Sequence, residues 1–293
     1  LINMMLETNK NYFADNRDIL KTIPDKSINM FLEDMPYNTT QCDWEYEVDL
    51  EEYWRLRLPK LADKGLFVLT ATNPFACDLI NSNRKMFRYD IIWEKTKPVG
   101  FANSRKMPMR SHELILIFYK SLPKYNPIKT KLSDDEISSL RFDIGENCPT
   151  HKMKVSKEVY YSAETTVNKM IGYVPVESGE RYPTSIIKFS NWRQSGFVKG
   201  NINLDQSSDH PTKKPVGLFE YLINTYTNEN DIVFDGYSGS GTTAIACIRN
   251  NRQYIICENK KEYFDLQTKR ILEEIDKTSL FNSLGGRQDR LSA

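Results

Sequence analysis

The sequence predicts an α/β fold, a doubly wound and mostly parallel sheet of the Rossmann-like type. Apolar strand-like runs alternate with helical segments along much of the 293-residue chain. The run Asp231–Phe234 leads into a glycine-rich turn, and Ala244–Ile248 after that turn reads as a buried helix. The next strand-like run ends on Glu258, 23 residues after Asp235, where nucleotide folds place the acid that binds ribose hydroxyls. These features together indicate a site for a nucleotide-like cofactor, although the turn alone would also fit a plain strand-to-helix connection.

The composition is that of an ordinary soluble protein, with 40% hydrophobic and 27% charged residues. The 40 basic and 39 acidic residues nearly cancel, so any affinity for nucleic acid must come from clustered charge. The five cysteines form no Cys-x-x-Cys pair and there are only three histidines, so we expect no metal site. The odd cysteine count suits a reducing cytoplasm, and the apolar run Leu114–Tyr119 is too short to span a membrane.

The first group of alternating elements lies within residues 12–120. The expected strands are Tyr12–Asp15, Ser27–Glu33, Gly65–Thr70, Tyr89–Trp93 and Glu113–Tyr119, and the expected helices are Arg17–Leu20, Leu50–Leu61 and Pro74–Asn83. The last of these strands is almost wholly apolar, as central strands tend to be. The tetrapeptide Asp34-Met35-Pro36-Tyr37 follows the strand Ser27–Glu33 directly. Ligands of open α/β sheets bind beyond the carboxyl ends of strands, so this tetrapeptide is a candidate for chemistry; by itself it would also be an ordinary turn.

A basic segment runs from Lys95 to Arg110 between two of the expected strands. It contains no acidic residue, and its cations are Lys95, Lys97, Arg105, Lys106 and Arg110. Glycine and prolines in the segment favour a flexible loop. Such a loop beside a site would suit a clamp for nucleic-acid phosphates, and the alternative is a solvated surface loop.

The alternation of strands and helices is lost in residues 121–209. Basic and aromatic residues are interleaved there, which suits contact with DNA but also describes many surface modules. After this insert, residues 210–277 return to the α/β pattern. They contain the expected helices Val216–Tyr226 and Glu262–Ile275 on either side of the glycine turn and its strands.

Three motifs in this order resemble those of the beta class of S-adenosyl-L-methionine-dependent DNA amino-methyltransferases. They are Asp34-Met35-Pro36-Tyr37, His210-Pro211-Thr212-Lys213-Lys214-Pro215 and Asp235-Gly236-Tyr237-Ser238-Gly239-Ser240-Gly241-Thr242-Thr243. The resemblance extends over residues 12–275. It departs from the family at Met35 and Gly236, where the family usually has proline.

The resemblance implies a permuted domain order and a set of binding residues. Residues 12–120 would be the catalytic half of the methyltransferase domain, 121–209 a target-recognition insert and 210–277 the cofactor-binding half. The residues implied to bind S-adenosyl-L-methionine are Asp15, Thr212, Lys214, Asp235, Gly236, Ser238, Gly239, Gly241, Thr242 and Glu258. Asp15 is an equally good candidate for a helix cap, and the segment His210–Pro215 would also fit a simple proline-bounded linker.

The implied reaction moves a methyl group to an exocyclic amine of a base in double-stranded DNA. Such an amine is a poor nucleophile because its lone pair is delocalised into the ring. A carboxylate and a carbonyl that accept its two N–H bonds would favour attack on the methyl group in line. Asp34 would supply the carboxylate and Met35 the carbonyl, with Pro36 shaping the turn, while the flipped base would stack on Tyr37.

Several alternatives stay open at this point. An aspartate at the start of the tetrapeptide favours N6 of adenine over N4 of cytosine in the resembled family. Methylation at cytosine C5 is disfavoured, because it needs a cysteine nucleophile and no Pro-Cys dipeptide occurs. A protein or RNA amine methyltransferase fits the motif order less well. A relic that binds cofactor and DNA without turnover is the non-enzymatic alternative, and a homodimer and a cognate restriction endonuclease are candidate partners.

Overall fold

The principal sheet of this protein contains eight strands. A computed structural model describes residues 7–37, 48–131, 180–191, 194–196, 203–205 and 213–283. The strands of these residues are β1 (Lys10–Phe13), β2 (Ile28–Glu33), β3 (Leu61–Ala71), β4 (Phe87–Val99), β5 (Arg110–Phe118), β6 (Thr130–Lys131), β7 (Glu180–Arg181), β8 (Ile186–Phe189), β9 (Gln194–Gly196), β10 (Asn203–Asp205), β11 (Ile232–Asp235) and β12 (Gln253–Glu258). The sheet order is β1-β12-β11-β2-β3-β5-β4-β8, and β5 runs antiparallel to both of its neighbours while the other pairs are parallel. The expected mostly parallel sheet is confirmed.

Helices cover both faces of this sheet. They are α1 (Asn16–Thr22), α2 (Leu50–Arg57), α3 (Phe75–Ser82), α4 (Val216–Tyr226), α5 (Thr242–Arg249) and α6 (Lys261–Ser283). Successive residues of a strand point to opposite faces, so Met30 and Leu32 pack into one core with α4 and α5, while Phe31 packs into a second core with α1 to α3. The doubly wound arrangement follows from these two cores.

The strand order changes direction between β11 and β2. From β2 the chain proceeds through β3 toward one edge of the sheet, and from β11 it proceeds through β12 toward the other. Because β2, β11 and β12 are parallel, their carboxyl ends lie at the same edge. This reversal is the position at which doubly wound sheets bind ligands.

Several expected element boundaries differ from those of the structure, and the closing helix expected over Glu262–Ile275 extends to Ser283. The strand β4 continues to Val99 and β5 begins at Arg110, so both ends of the expected flexible loop are strand residues, and only residues 100–109 connect them. The helix expected over Leu50–Leu61 ends at Arg57, because Pro59 lacks the N–H that would continue it, and a 3-10 turn follows.

The described residues 127–131 and 180–184 belong to a second unit, separate from the one that contains the principal sheet. Its described part contains the antiparallel pair of β6 and β7. The described residues from Ser185 onward belong to the larger unit, in which β8 pairs with β4 at the end of the sheet. Among the described residues, no helix has the length and apolar character required to cross a membrane.

A buried ion pair lies where the two halves of the sheet meet. Glu33, the last residue of β2, is fully buried, and Arg57 at the end of α2 is 1% exposed. Arg57 Nη2 lies 2.8 Å from Glu33 Oε1, and Arg57 Nε donates to Glu33 Oε2 at 2.9 Å. The backbone N–H of Gly236 donates to Glu33 Oε1 at 3.0 Å, while Asn16 accepts from Arg57 and donates to the carbonyl of Gly236. One carboxylate thus connects β2, α2, α1 and the turn after β11.

Replacement of Arg57 by Met should lower the free energy of unfolding by about 3–5 kcal/mol, because Glu33 is left charged and buried without its cation. Urea denaturation measures this loss. Arg55 on the same helix pairs with Glu52 at the surface, and Arg55→Met should cost less than about 1 kcal/mol. Equal losses in the two variants would contradict the role given to the buried pair.

Candidate active site

Asp34 lies at the carboxyl edge of the sheet, immediately after β2. Its Oδ1 accepts a hydrogen bond from the Tyr37 hydroxyl at 2.6 Å and another from Thr70 at the end of β3. Its Oδ2 lies 2.7 Å from Nζ of Lys214, just before α4. Both oxygens are therefore oriented by groups from other parts of the chain.

The Asp34 carboxyl is held in its charged form. Burial would raise its pKa, but the charge of Lys214 and the hydrogen bonds from Lys214, Thr70 and Tyr37 together lower the pKa below the ordinary value. Burial would also lower the pKa of Lys214, and the charges of Asp34 and Glu113 outweigh it and raise that pKa. The two groups form an ion pair that persists at neutral pH.

The ion pair continues into a chain of alternating charges. Nζ of Lys214 lies 3.3 Å from Oε2 of Glu113 on β5, and Nζ of Lys95 on β4 lies 2.5 Å from Oε1 of the same carboxylate. The side chain of Lys95 is only 8% exposed. The expectation that Lys95 lies in an exposed phosphate-binding loop is wrong, because the residue is in a strand and its charge faces Glu113. Lys214, expected at the cofactor, contacts Asp34.

The other residues of the tetrapeptide have distinct environments. The Met35 side chain is 2% exposed and packs in the core with α1 to α3, while Pro36 is half-buried. The Tyr37 ring is half-buried and stacks on Phe75 with 5.7 Å between ring centroids. Lys214 Nζ lies 5.5 Å from the centroid of the same ring. Tyr37 thus contributes a hydroxyl to Asp34 and an aromatic wall beside it.

The glycine turn is built on Asp235, the last residue of β11. Asp235 is 2% exposed, its Oδ1 accepts from Tyr237 N at 2.9 Å, and its Oδ2 accepts from the hydroxyl of Thr243 in α5. The strand end is thereby fastened to the first turn of the helix that follows. Burial raises the pKa of Asp235 to about 8, although both hydrogen bonds favour the charged form.

Two glycines of the turn are required by its geometry. Gly241 has φ +77° and forms the start of α5, and a Cβ there would lie 2.9 Å from Cβ of Gln267 in α6. A Cβ at Gly236 would lie 2.8 Å from both Arg57 Nη2 and Glu33 Oε1. Since Gly236 also donates its N–H to Glu33, proline at this position would remove that hydrogen bond. Glycine at position 236 therefore matches the buried pair beneath it.

Glu258 braces the same turn from the end of β12. Its Oε2 accepts from Gly239 N at 3.0 Å and its Oε1 from Lys260 N at 2.8 Å. Burial raises the pKa of Glu258, and the backbone hydrogen bonds oppose that rise. Ser238 Oγ lies 2.7 Å from Gln267 Oε1, which fixes the turn against α6.

The remaining expected cofactor residues are placed as follows. Asp15 caps α1 by accepting from Arg17 N at 2.9 Å, and it pairs with the Arg17 side chain. Thr242 is buried at the start of α5, with Oγ1 3.4 Å from the carbonyl oxygen of Lys214. Thr212 lies outside the described residues.

The other expected DNA-binding residues are exposed on the hairpin of β4 and β5: Lys97, Arg105, Lys106 and Arg110.

Sequence reasoning missed the residues that support the site. Glu33, Arg57 and Thr70 were not singled out, and Glu113 was given no chemical part. Glu33 and Glu113 share a signal that could have identified them, because each is a carboxylate within or beside an apolar strand run. A charge in such a run requires a buried partner.

Comparisons with known proteins agree on one family. A family model described as DNA methylase, of the N6/N4 type, matches residues 28–270. The type II methyltransferase M1.MboII of Moraxella bovis is 26% identical over 285 residues, which cover 93% of this chain and 99% of that protein. The crystal structure of the M1.HpyAVI–SAM complex has a TM-score of 0.54 at 21% identity and covers 89% of this chain and 98% of that one. The PvuII DNA methyltransferase, described as cytosine-N4-specific, has a TM-score of 0.55 at 18% identity and covers 95% of this chain and 93% of that one. The likeness to these two solved structures shows a shared fold.

The raised pKa of Asp235 predicts a specific pH dependence of stability. The unfolded chain ionises this group near its ordinary value of 3.8 and the folded chain near 8, so the free energy of unfolding should fall as the pH rises between these values. Asp235→Asn should remove a slope of up to about 1.4 kcal/mol per pH unit. Urea denaturation at several pH values between about 5 and about 7 measures this slope, and equal slopes for the two proteins would contradict the assignment.

Proposed function

This chain belongs to the N6/N4 DNA methylase family, and on that premise we propose that it transfers a methyl group from S-adenosylmethionine to an exocyclic amine of a base in double-stranded DNA. The observation that carries the proposal is the ionised Asp34 carboxylate beside the glycine turn. A hydrogen-bond acceptor for the amine and a candidate cofactor site lie at one edge of the sheet.

The residues at this edge suit a cofactor with positive charge and ribose hydroxyls. Asp235 and Glu258 place two carboxyl groups at the carboxyl ends of β11 and β12, while the charge of Asp34 is paired with Lys214. A bound cation would favour the ionised form of Asp235. Glu258 has lone pairs beyond the two that its backbone hydrogen bonds use, so its carboxylate can also accept from ribose hydroxyls. When bound, S-adenosylmethionine supplies a methyl group activated by a sulfonium.

Asp34 would orient the amine rather than remove its proton before attack. Its Oδ1 accepts from Tyr37 and Thr70 and its Oδ2 from Lys214, so the carboxylate plane is fixed and one lone pair, on Oδ2, remains available. The lowered pKa keeps Asp34 ionised, so it accepts charge-assisted hydrogen bonds while being a weak base. An amine that donates to this carboxylate would have its lone pair directed toward the methyl group.

The carbonyl of Met35 would accept the second N–H of the amine. The family usually has proline at this position, which restricts the backbone through its ring. Here the Met35 side chain is anchored in the core instead, since it is 2% exposed among residues of α1 to α3. We propose that this packing restrains the carbonyl and preserves the function of the tetrapeptide. The Tyr37 ring would contact the flipped base.

The target base is proposed to be adenine, at N6. The aspartate that begins the tetrapeptide favours adenine in the family that the chain resembles. N4 of cytosine is the second candidate, because one structural neighbour is described as cytosine-N4-specific.

The complete set of partners around Asp34 supports an active enzyme over a relic. The segment 121–209 is proposed to recognise the DNA sequence.

The relatives also support proposals about biological context. M1.MboII and M.BglII are described as type II methyltransferases, and their sources are bacteria. We therefore propose a bacterial cytoplasmic enzyme of a restriction-modification system, with a cognate endonuclease as its partner. Oligomeric state is a separate question that sedimentation of the purified chain would answer.

Asp34→Ala and Glu258→Ala should separate chemistry from cofactor binding. Asp34→Ala should abolish transfer of radiolabelled methyl from S-adenosylmethionine to DNA, because the amine loses its acceptor, and should leave cofactor affinity nearly intact. Glu258→Ala should weaken cofactor affinity by roughly tenfold or more, because both the ribose acceptor and the brace of Gly239 are lost. Calorimetric titration measures the affinities.

The matched control is Asp18→Ala, which removes a carboxylate from the exposed surface of α1. It should change neither transfer nor affinity. Turnover by Asp34→Ala would refute the catalytic assignment, and unchanged affinity in Glu258→Ala would refute the ribose-binding assignment.

A further inference from the structure

The hairpin of β4 and β5 extends past the active-site edge of the sheet. Lys95 on β4 lies at the level of the site, since it is linked through Glu113 and Lys214 to Asp34. The strand continues from there to Val99, with an irregularity in its pairing to β5 between Glu94 and Val99, so its end lies farther out than Lys95. Every residue from 96 to 112 is exposed. The end of the hairpin is therefore positioned to meet a large substrate that enters the site.

This hairpin carries an unusual cluster of exposed apolar side chains. Phe101 is 81% exposed and Met107 is 60% exposed, and Val99 and Met109 are also exposed. These four side chains lie within eleven residues of sequence. A cluster of this kind on a protruding element indicates a contact surface.

The base of the hairpin is held firmly, so its end is presented in a defined position. Asn191, which follows β8, accepts from Lys97 N at 2.9 Å and donates to the Lys97 carbonyl at 2.9 Å. Gly100 has φ +92° and begins a 3-10 turn that contains Phe101. Met107 N donates to the carbonyl of Asn103 at 3.1 Å, which closes the loop on itself.

The charge of the hairpin identifies the kind of partner. Arg105, Lys106 and Arg110 are exposed close to the apolar cluster, and the segment 95–110 has no acidic residue. In a symmetric dimer formed through this surface, the same cations would face one another and repel. Cations around an apolar centre instead match a nucleic-acid duplex, in which phosphates surround a stack of apolar base faces.

We propose that Phe101, supported by Met107, inserts into the base stack of the DNA at the target position. The ring would occupy the space that the extruded base vacates, while Arg105 and Lys106 bind the flanking phosphates. The stacking lost when a base leaves the duplex is then partly replaced by contact with an aromatic ring. This inference rests on the proposed function, because it requires that a base moves from the duplex to Asp34.

The test compares Phe101→Ala with wild type on two duplexes that contain the same methylation site. One duplex is fully paired, and in the other the target base lies opposite an abasic position, so that extrusion needs less energy. Single-turnover methyl transfer at saturating cofactor should fall about tenfold or more on the paired duplex and change less than about twofold on the abasic one. Phe101→Leu, which keeps apolar bulk, should retain most of the activity on the paired duplex.

Leu122→Ala is the matched control, because Leu122 is 75% exposed and lies outside the hairpin. It should behave as wild type on both duplexes. Equal losses on both duplexes by Phe101→Ala, or no loss on either, would overturn the inference while wild-type activity upholds the proposed function. Dissociation of a wild-type dimer by Phe101→Ala, seen by sedimentation together with equal losses, would assign the surface to a second copy and also overturn it. Absence of transfer by wild type on both duplexes would refute the proposed function, and this inference with it.

Discussion

The structure depends on two adjacent carboxylates at the end of β2, each of which requires a cation from elsewhere in the chain. Glu33 is fully buried and pairs with Arg57, and Asp34 pairs with Lys214 at the edge of the sheet. The Gly236 N–H that Glu33 accepts comes from a residue 203 positions away in sequence. A charge buried without a partner would cost several kcal/mol. The Asp34–Lys214 pair and the hydrogen bond from Gly236 to Glu33 both require the correct approach of the two halves. The proposed catalytic and cofactor-binding elements are aligned by the same contacts.

Charged side chains at this edge of the sheet form one continuous chain of ion pairs. Four charged groups at this edge alternate in sign, and their charges sum to zero: Asp34, Lys214, Glu113 and Lys95. Together they add no net charge to the edge. The ion pair keeps Asp34 charged and weakly basic, as an acceptor for an amine should be. At the two positions where the resembled family usually has proline, the Met35 side chain packs in the core and the N–H of Gly236 donates to Glu33.

The sequence predicted the fold and the main residues of the site because both depend on patterns of residues close together in sequence. Three such patterns were sufficient: the alternation of strands and helices, the glycine turn, and the tetrapeptide at a strand end. The Glu33–Arg57 pair joins residues 24 positions apart, and whether an arginine at a helix end turns inward depends on the packing around it. The expected position of Lys95 was wrong for a similar reason. A lysine in a polar stretch is expected to be exposed, and only the structure shows that its partner Glu113 lies on the neighbouring strand. The length of β4 depends on its pairing with β5 and β8, which no local pattern encodes.

The most direct test is single-molecule sequencing of DNA from a methylation-free bacterial host that expresses this chain, with a host expressing Asp34→Ala as the control. We predict N6-methyladenine at one short sequence motif in the first host and none in the second. N4-methylcytosine at such a motif would keep the reaction and correct the base. An unmodified genome in a host that contains the folded, cofactor-binding protein would contradict the central claim, as would equal modification in the control.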